Sequence, residues 1–173
     1  DFQEKLHSGL ARKRTLVSVG THDLDKVKPP FKYTLTPKEN IKFTPLNQAK
    51  EMDCTGDGLE KFYKDDKHIS RYVPLISHLS SFPCIYDSED QLMSLPPIIN
   101  SEVSKISVDT KNIFIECTAV DLQKAHILVN QMVGAFSMYC NEPFSVEAVE
   151  VKYDDHDETT PSADLPTMEV DIE

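Results

Sequence analysis

The chain has 173 residues, 39% of them hydrophobic and 27% charged, the balance of an ordinary soluble globular protein. Its 18 Lys and Arg against 29 Asp and Glu give a formal net charge of −11, which excludes a basic protein that coats nucleic acid by counterion release. No apolar run approaches the roughly 18 residues of a membrane span, no signal peptide opens the chain, and a body of this length needs no disulfide or metal staple to fold.

The first residue is Asp1, so the sequence reads as a piece of a longer polypeptide. Phe2 to Leu10 reads as a short helix, followed by a basic turn at Arg12, Lys13 and Arg14. Leu16 to Val19 is a strand expected to stop at Gly20, with Thr21 capping a turn through Lys26. Pro29-Pro30 breaks the chain, and Phe31 to Leu35 alternates as a half-buried strand does. Ile41 to Thr44 reads as another short strand. Leu59 to Leu79 reads as a helix interrupted by Pro74.

Pro83 to Tyr86 and Gln91 to Leu95 are short strands around the polar turn Asp87-Ser88-Glu89-Asp90. The stretch from Pro96 to Glu102 is a proline-stiffened apolar loop that ends in polar groups. Ile113 to Thr118 is a continuous β-run, expected to be buried on both faces. Asp121 caps a long helix to about Cys140, with Leu122, Ala125, Leu128, Val129, Met132 and Phe136 on one stripe. Phe144 to Val151 alternates as a partly exposed strand. Strands and helices interleave without a βαβ rhythm, so the fold class is α+β, with mixed sheets and packed helices.

Eight acids and no Lys or Arg follow Tyr153, so residues 1–153 are close to neutral, near −3. Residues 154–173 have the composition of an acidic linker or disordered tail, and residues 1–153 form the expected domain. Cys54, Cys84, Cys117 and Cys140 have no zinc-ligand spacing and read as reduced thiols in a cytosolic protein. Cys117, inside the β-run, reads as a small core residue rather than a nucleophile.

No phosphate-binding loop, dinucleotide fingerprint, HExxH or GxSxG motif is present. His22-Asp23 reads as an ordinary turn. The exception is Ser94 to Thr118. Two prolines fix the backbone just before Asn100 and Glu102, and preorganised polar groups on a rigid loop suit a binding site. Glu116 and Thr118 share a strand face, and a carboxylate on an apolar buried strand is costly unless paired or used. Pairing of Glu116 with Lys105 or Lys111 is the competing structural reading.

Three separated segments carry a resemblance: Leu16 to Asp25, Met93 to Asn100 (MSLPPIIN) and Asn112 to Thr118 (NIFIECT). Together they resemble the beta subunit of phenylalanine–tRNA ligase, archaeal and eukaryotic-cytosolic type, over about Asp1 to Tyr153, the span of its editing module. The resemblance implies a module that hydrolyses tyrosine wrongly attached to tRNA(Phe). The alternative is a non-catalytic scaffold or tRNA-positioning module of the same subunit. It also implies that ATP and magnesium serve the whole enzyme and that no cofactor or metal serves this piece. The implied partners are the tRNA(Phe) acceptor end and a catalytic alpha subunit in an (alpha-beta)2 heterotetramer, in the cytoplasm and without a membrane.

Residue by residue, the resemblance places Glu102, Glu116 and Thr118 in catalytic roles and Ser94, Asn100, Ile85 and His22 in substrate binding. Glu102 is expected to accept the tyrosine hydroxyl or to take part in hydrolysis. Many relatives carry Asn-Gly-Asp-His where this chain has Asn100-Ser101-Glu102-Val103, so no histidine follows the acid. Without a Ser–His or Cys–His pair to activate a nucleophile, the implied chemistry is direct attack of a positioned water on the ester.

Overall fold

Helix α1 (Phe2–Ser8) buries Leu6 and His7 on one side. It gives way to a turn in which Arg12, Lys13 and Arg14 all have positive φ (46°, 55° and 63°), and this reverses the chain into β1 (Val17–Asp23). The computed structural model describes residues 2–161. After β1 come β2 (Lys32–Pro37), β3 (Lys42–Phe43), β4 (Met52–Asp53), α2 (Gly58–Tyr63), β5 (Ser81–Tyr86), β6 (Leu92–Leu95) and β7 (Ile99–Asn100). The chain then runs through β8 (Ile113–Ala119), α3 (Leu122–Ser137), β9 (Val149–Lys152) and β10 (Asp157–Thr160). Every strand pairing is antiparallel, and the fold is α+β.

Two sheets position the rest. One is the ribbon β1–β8, in which the ends of the chain segment 17–119 pair directly. The other has the order β2–β5–β6–β7. Asp121 lies in extended backbone and its carboxylate accepts the Lys124 amide, so α3 starts where the sequence reading places its cap. Ala125, Leu128 and Met132 recur at helical spacing and are buried. Leu128 and Met132 pack with Leu6, Ala11, Val17 and Val19, covering one face of the ribbon. A larger core of Ile41, Phe43, Met52, Leu59, Tyr63, Phe82, Leu95 and Ile98 fills the far side of the second sheet.

Four expectations are corrected. β1 does not stop at Gly20 but continues to Asp23, so His22-Asp23 is buried strand and not a turn. The reason is partnership: all seven residues of β1 pair with β8. β8 is not buried on both faces, since Ile113 and Ala119 are exposed at its ends and only Glu116 is buried. The stretch 59–79 is not one helix. After α2, Asp66 Oδ1 accepts the amides of His68 and Ile69, starting short 3-10 turns at Ile69–Arg71 and Val73–Leu75, the latter with Pro74 in its first turn. The strand expected from Phe144 is confined to Val149–Lys152, which pairs with Asp157–Thr160. The boundary at 153/154 therefore falls inside the turn of this hairpin, and Glu158 meets His126 of α3 at 2.9 Å. The expectation of disorder for 162–173 lies outside the described residues.

His7 ties α1 to the ribbon. Its Nε2 accepts the Val19 amide (3.1 Å), so the neutral ring carries its proton on Nδ1. Burial, and then the Arg14 charge beside it, push its pKa from 6.5 down to about 4. Between those values the unfolded chain binds a proton that the folded chain refuses, so stability present above pH 6.5 is lost as pH falls toward 4. The loss should reach roughly 2–3 kcal/mol. His7→Gln, which keeps an acceptor for the Val19 amide but does not titrate, should flatten that part of the stability profile in denaturant melts taken from pH 7 to 4.

Candidate active site

Antiparallel register puts directly opposed residues on one face, so Ser18 and Thr118, Gly20 and Glu116, and His22 and Phe114 line the side of the ribbon away from α3. This polar face is also closed: His22 is fully buried and Glu116 is 8% exposed. Among the described residues neither Lys105 nor Lys111 pairs with the Glu116 carboxylate as weighed above; Lys105 bonds Glu102 instead. The Glu116 Oε1 lies 3.8 Å from His22 Nε2, and its buried Oε2 has no hydrogen-bond partner among the described residues. His22 Nδ1 is held by Ser104 Oγ at 2.7 Å, leaving Nε2 free to face the carboxylate. A buried, incompletely satisfied carboxylate demands a donor.

Gly20 makes room for it. A Cβ at this position would collide with Glu116 Oε1 and come within 3.1 Å of Asn100 Nδ2. Glu116 thus folds across the bare backbone of its cross-strand partner and toward Asn100 of the other sheet.

The opposite wall is a row across the second sheet. Register aligns Tyr33 with Ile85, Ile85 with Ser94, and Ser94 with Asn100. Ser94 Oγ donates to Asn100 Oδ1 (3.0 Å), and Asn100 Nδ2 points at Thr21 O (3.5 Å). Ile85 is buried with Val27 and Met93, and the partly buried Phe114 packs against this apolar cluster. Tyr33 was not singled out by the sequence reading. Desolvation, and then the Glu116 charge, raise its phenol above the usual tyrosine range, so the outer end of the row also feels the carboxylate. The only sequence signal for it is its place on the alternating segment Phe31–Leu35.

The predicted site residues therefore divide. His22, Ser94, Asn100 and Glu116 come together, with Ile85 beneath and Thr118 one pair further along the ribbon face. Glu102 stands apart. It is surface-accessible, its Oε2 accepts the Asn47 amide (2.6 Å) and its Oε1 accepts Lys105 Nζ (3.0 Å). Those two donors hold its carboxyl below the usual glutamate range. Asn47 and Lys105 line a cavity of about 260 Å³, together with Thr21, Asn100, Ser101 and Ser104, so Glu102 braces the rim of this opening. Asn100 also borders a smaller cavity of about 80 Å³ with Ser18, Ser94, His7 and Arg14.

Cys117 points to the α3 side, with its Sγ 3.9 Å from Ala125 O, and burial raises its thiol pKa, which leaves it a poor nucleophile. Among the described residues no group of three or more His, Cys, Asp or Glu side chains is placed to hold a metal ion. No helix among them is long and apolar enough to cross a membrane.

Residues 10–137 match the B3/4 domain family. The chain is 48% identical over 155 residues to a phenylalanine–tRNA ligase beta subunit of Caenorhabditis elegans, covering 90% of this chain and 26% of that protein. It is 52% identical over 153 residues to the Saccharomyces cerevisiae beta subunit, covering 87% of this chain and 25% of that one. Among solved structures, an N-terminal fragment of the phenylalanyl-tRNA synthetase beta subunit from Pyrococcus horikoshii superposes with a TM-score of 0.80 at 36% identity, covering 92% of this chain and 44% of that fragment. The chain spans about a quarter of the length of the curated relatives it matches. It belongs to the B3/4 domain family, in the form carried by phenylalanine–tRNA ligase beta subunits.

Proposed function

We propose that this chain is the editing module of a cytoplasmic phenylalanine–tRNA ligase and hydrolyses the ester of tyrosine wrongly attached to tRNA(Phe). The carrying observation is the buried Glu116 carboxylate, whose Oε2 has no hydrogen-bond partner among the described residues, with His22 Nε2 3.8 Å from its Oε1 and the Asn100 side chain, held by Ser94, reaching the same Gly20 backbone. Tyrosine is phenylalanine plus one hydroxyl, and an apolar synthetic pocket rejects an added hydroxyl by only about a hundredfold. A site that needs a donor selects in the opposite sense, because phenylalanine leaves its acceptor unpaired.

In this reading Glu116 accepts the tyrosine hydroxyl with His22 beside it, and Ile85 contacts the ring. Ser94, Asn100 and Thr118 orient the ester and its attacking water. Glu102, engaged by Asn47 and Lys105, braces the rim rather than meeting the hydroxyl as the sequence reading expected. The near-neutral body suits entry of the tRNA acceptor end alone, with the rest of the tRNA held elsewhere in the assembly. In this reading ATP and magnesium serve the synthetic reaction in the alpha subunit, and no step here runs through them.

The test is deacylation of tyrosyl-tRNA(Phe) by the full subunit assembled with its synthetic partner. A hydrogen bond to a charged group contributes about 1.5–3 kcal/mol, so Glu116→Gln should slow tyrosyl-tRNA hydrolysis roughly ten- to a hundredfold. Hydrolysis of phenylalanyl-tRNA and aminoacylation should be unchanged. Glu102→Ala should have a much smaller effect. Hydrolysis by Glu116→Gln equal to wild type would sink the assignment.

Gly20→Ala probes the same group without touching it. The new methyl must push the carboxylate aside, so tyrosyl-tRNA hydrolysis should fall as in Glu116→Gln. Thermal melts should show overpacking of about 1–3 kcal/mol.

A further inference from the structure

The turn between α1 and β1 is held in a conformation its residues disfavour. Arg12, Lys13 and Arg14 are consecutive, none is glycine, and each has a left-handed φ. Such a backbone persists only when its surroundings over-determine it, and conformations of this kind cluster at functional sites. Here the surroundings hold one side chain. The Arg14 Nη1 donates to Pro97 O (3.2 Å) and to Ile98 O (2.9 Å), carbonyls more than eighty residues away in sequence. Its Nη2 meets Glu4 Oε2 at 3.3 Å, balancing the charge, and its guanidinium lies 4.4 Å over the Tyr72 ring. The side chain is only 12% exposed.

Those acceptors lie in the turn between two residues of the candidate site. Ser94 precedes the Pro96–Pro97 turn, Asn100 follows it, and the two side chains bond to each other. The Ile98 amide closes the turn on Leu95 O, and the Ser101 amide returns to Met93 O. Arg14 also borders the small cavity behind Ser94 and Asn100. We propose that Arg14 is a positioning residue: by gripping the Pro97 and Ile98 carbonyls it sets where Asn100 stands over Gly20 and Glu116. Its functional consequence rests on the editing reading, while its geometric consequence does not. A lysine cannot replace it, because a point ammonium lacks the planar fork that reaches both carbonyls and Glu4 at once and cannot stack on Tyr72 in the same way.

The experiment compares wild type, Arg14→Lys, Arg14→Ala and Glu116→Gln in the full subunit assembled with its synthetic partner. It measures tyrosyl-tRNA(Phe) deacylation, aminoacylation, thermal melting, and hydrogen exchange at the Ile98 and Ser101 amides. For Arg14→Lys the melting temperature and aminoacylation should match wild type. A misplacement on the order of 1 Å lowers rates about a hundredfold, so kcat for deacylation should fall roughly ten- to a hundredfold with KM unchanged. Exchange at Ile98 and Ser101 should quicken while that of α3 does not. Arg14→Ala should show the same kinetic and exchange pattern at least as strongly, with a lower melting temperature and aminoacylation unchanged. Wild-type kinetics and exchange in Arg14→Lys would overturn the proposal, as would a loss shared equally by deacylation, aminoacylation and melting. If wild type fails to hydrolyse tyrosyl-tRNA, the editing reading falls. The exchange data then decide Arg14 alone: quickened exchange at the two amides upholds its positioning role, and unchanged exchange overturns it.

Discussion

A buried carboxyl group with one oxygen left without a hydrogen-bond partner among the described residues constrains everything around it. Glu116 sits on a two-stranded ribbon whose other face is packed against α3, so its own face is closed over by the second sheet and its side chain has nowhere wet to go. An isolated buried charge is expensive, and the histidine at 3.8 Å offsets that cost only in part. Gly20 must be bare for the carboxylate to lie across it, and Ser104 must hold His22 by Nδ1 to keep Nε2 on the acid. Asn100 must reach over from the other sheet. Each of these follows from where one side chain points.

The two-sheet arrangement explains why such a site can exist between short strands. β1 and β8 are seven residues each but are paired end to end, which gives a rigid polar face. The second sheet contributes one residue per strand along a single line, Tyr33, Ile85, Ser94 and Asn100, running from an exposed phenol through an apolar side chain to a hydrogen-bonded amide. In the editing reading proposed above, this graded row suits an aromatic ring with a polar tip.

Elements defined by local physics were legible in the sequence. Asp121 and the apolar stripe after it mark α3. Asp87, whose carboxylate accepts the amides of Glu89 and Gln91, marks the β5–β6 hairpin. Elements defined by partnership were not. Gly20 looks like a strand stop, yet its lack of a side chain is what Glu116 requires. His22-Asp23 looks like a turn because nothing nearby in sequence shows that β8 lies alongside. The stretch 59–79 has apolar residues enough for a helix, but Asp66 and Pro74 divide it. Spacing singled out Asn100, Glu102, Glu116 and Thr118 within one stretch, but it could not join them to position 22, since the site draws positions 22, 94, 100 and 116 from four segments. Family resemblance pointed to them, and it could not separate Glu102 from Glu116, because burial distinguishes them and burial is a tertiary property.

That distinction bears on chemistry as well as geometry. Glu102 already accepts an amide and an ammonium, so a ligand's hydroxyl would have to displace partners as good as itself. Glu116 has an acceptor atom with no partner among the described residues and no water-exposed direction in which to find one. A donor arriving there removes an existing penalty, so its binding energy exceeds that of an exchange between hydrogen bonds. The same penalty makes the site intolerant of a ligand lacking the donor, which would bury the orphan more deeply and leave it unpaired. In the editing reading proposed above, selectivity for a single hydroxyl therefore needs no large contact area. It needs one acceptor kept dry and kept waiting, and the bare Gly20 backbone, the Ser104–His22 bond and the Asn100 side chain held by Ser94 are the means by which this fold keeps it so.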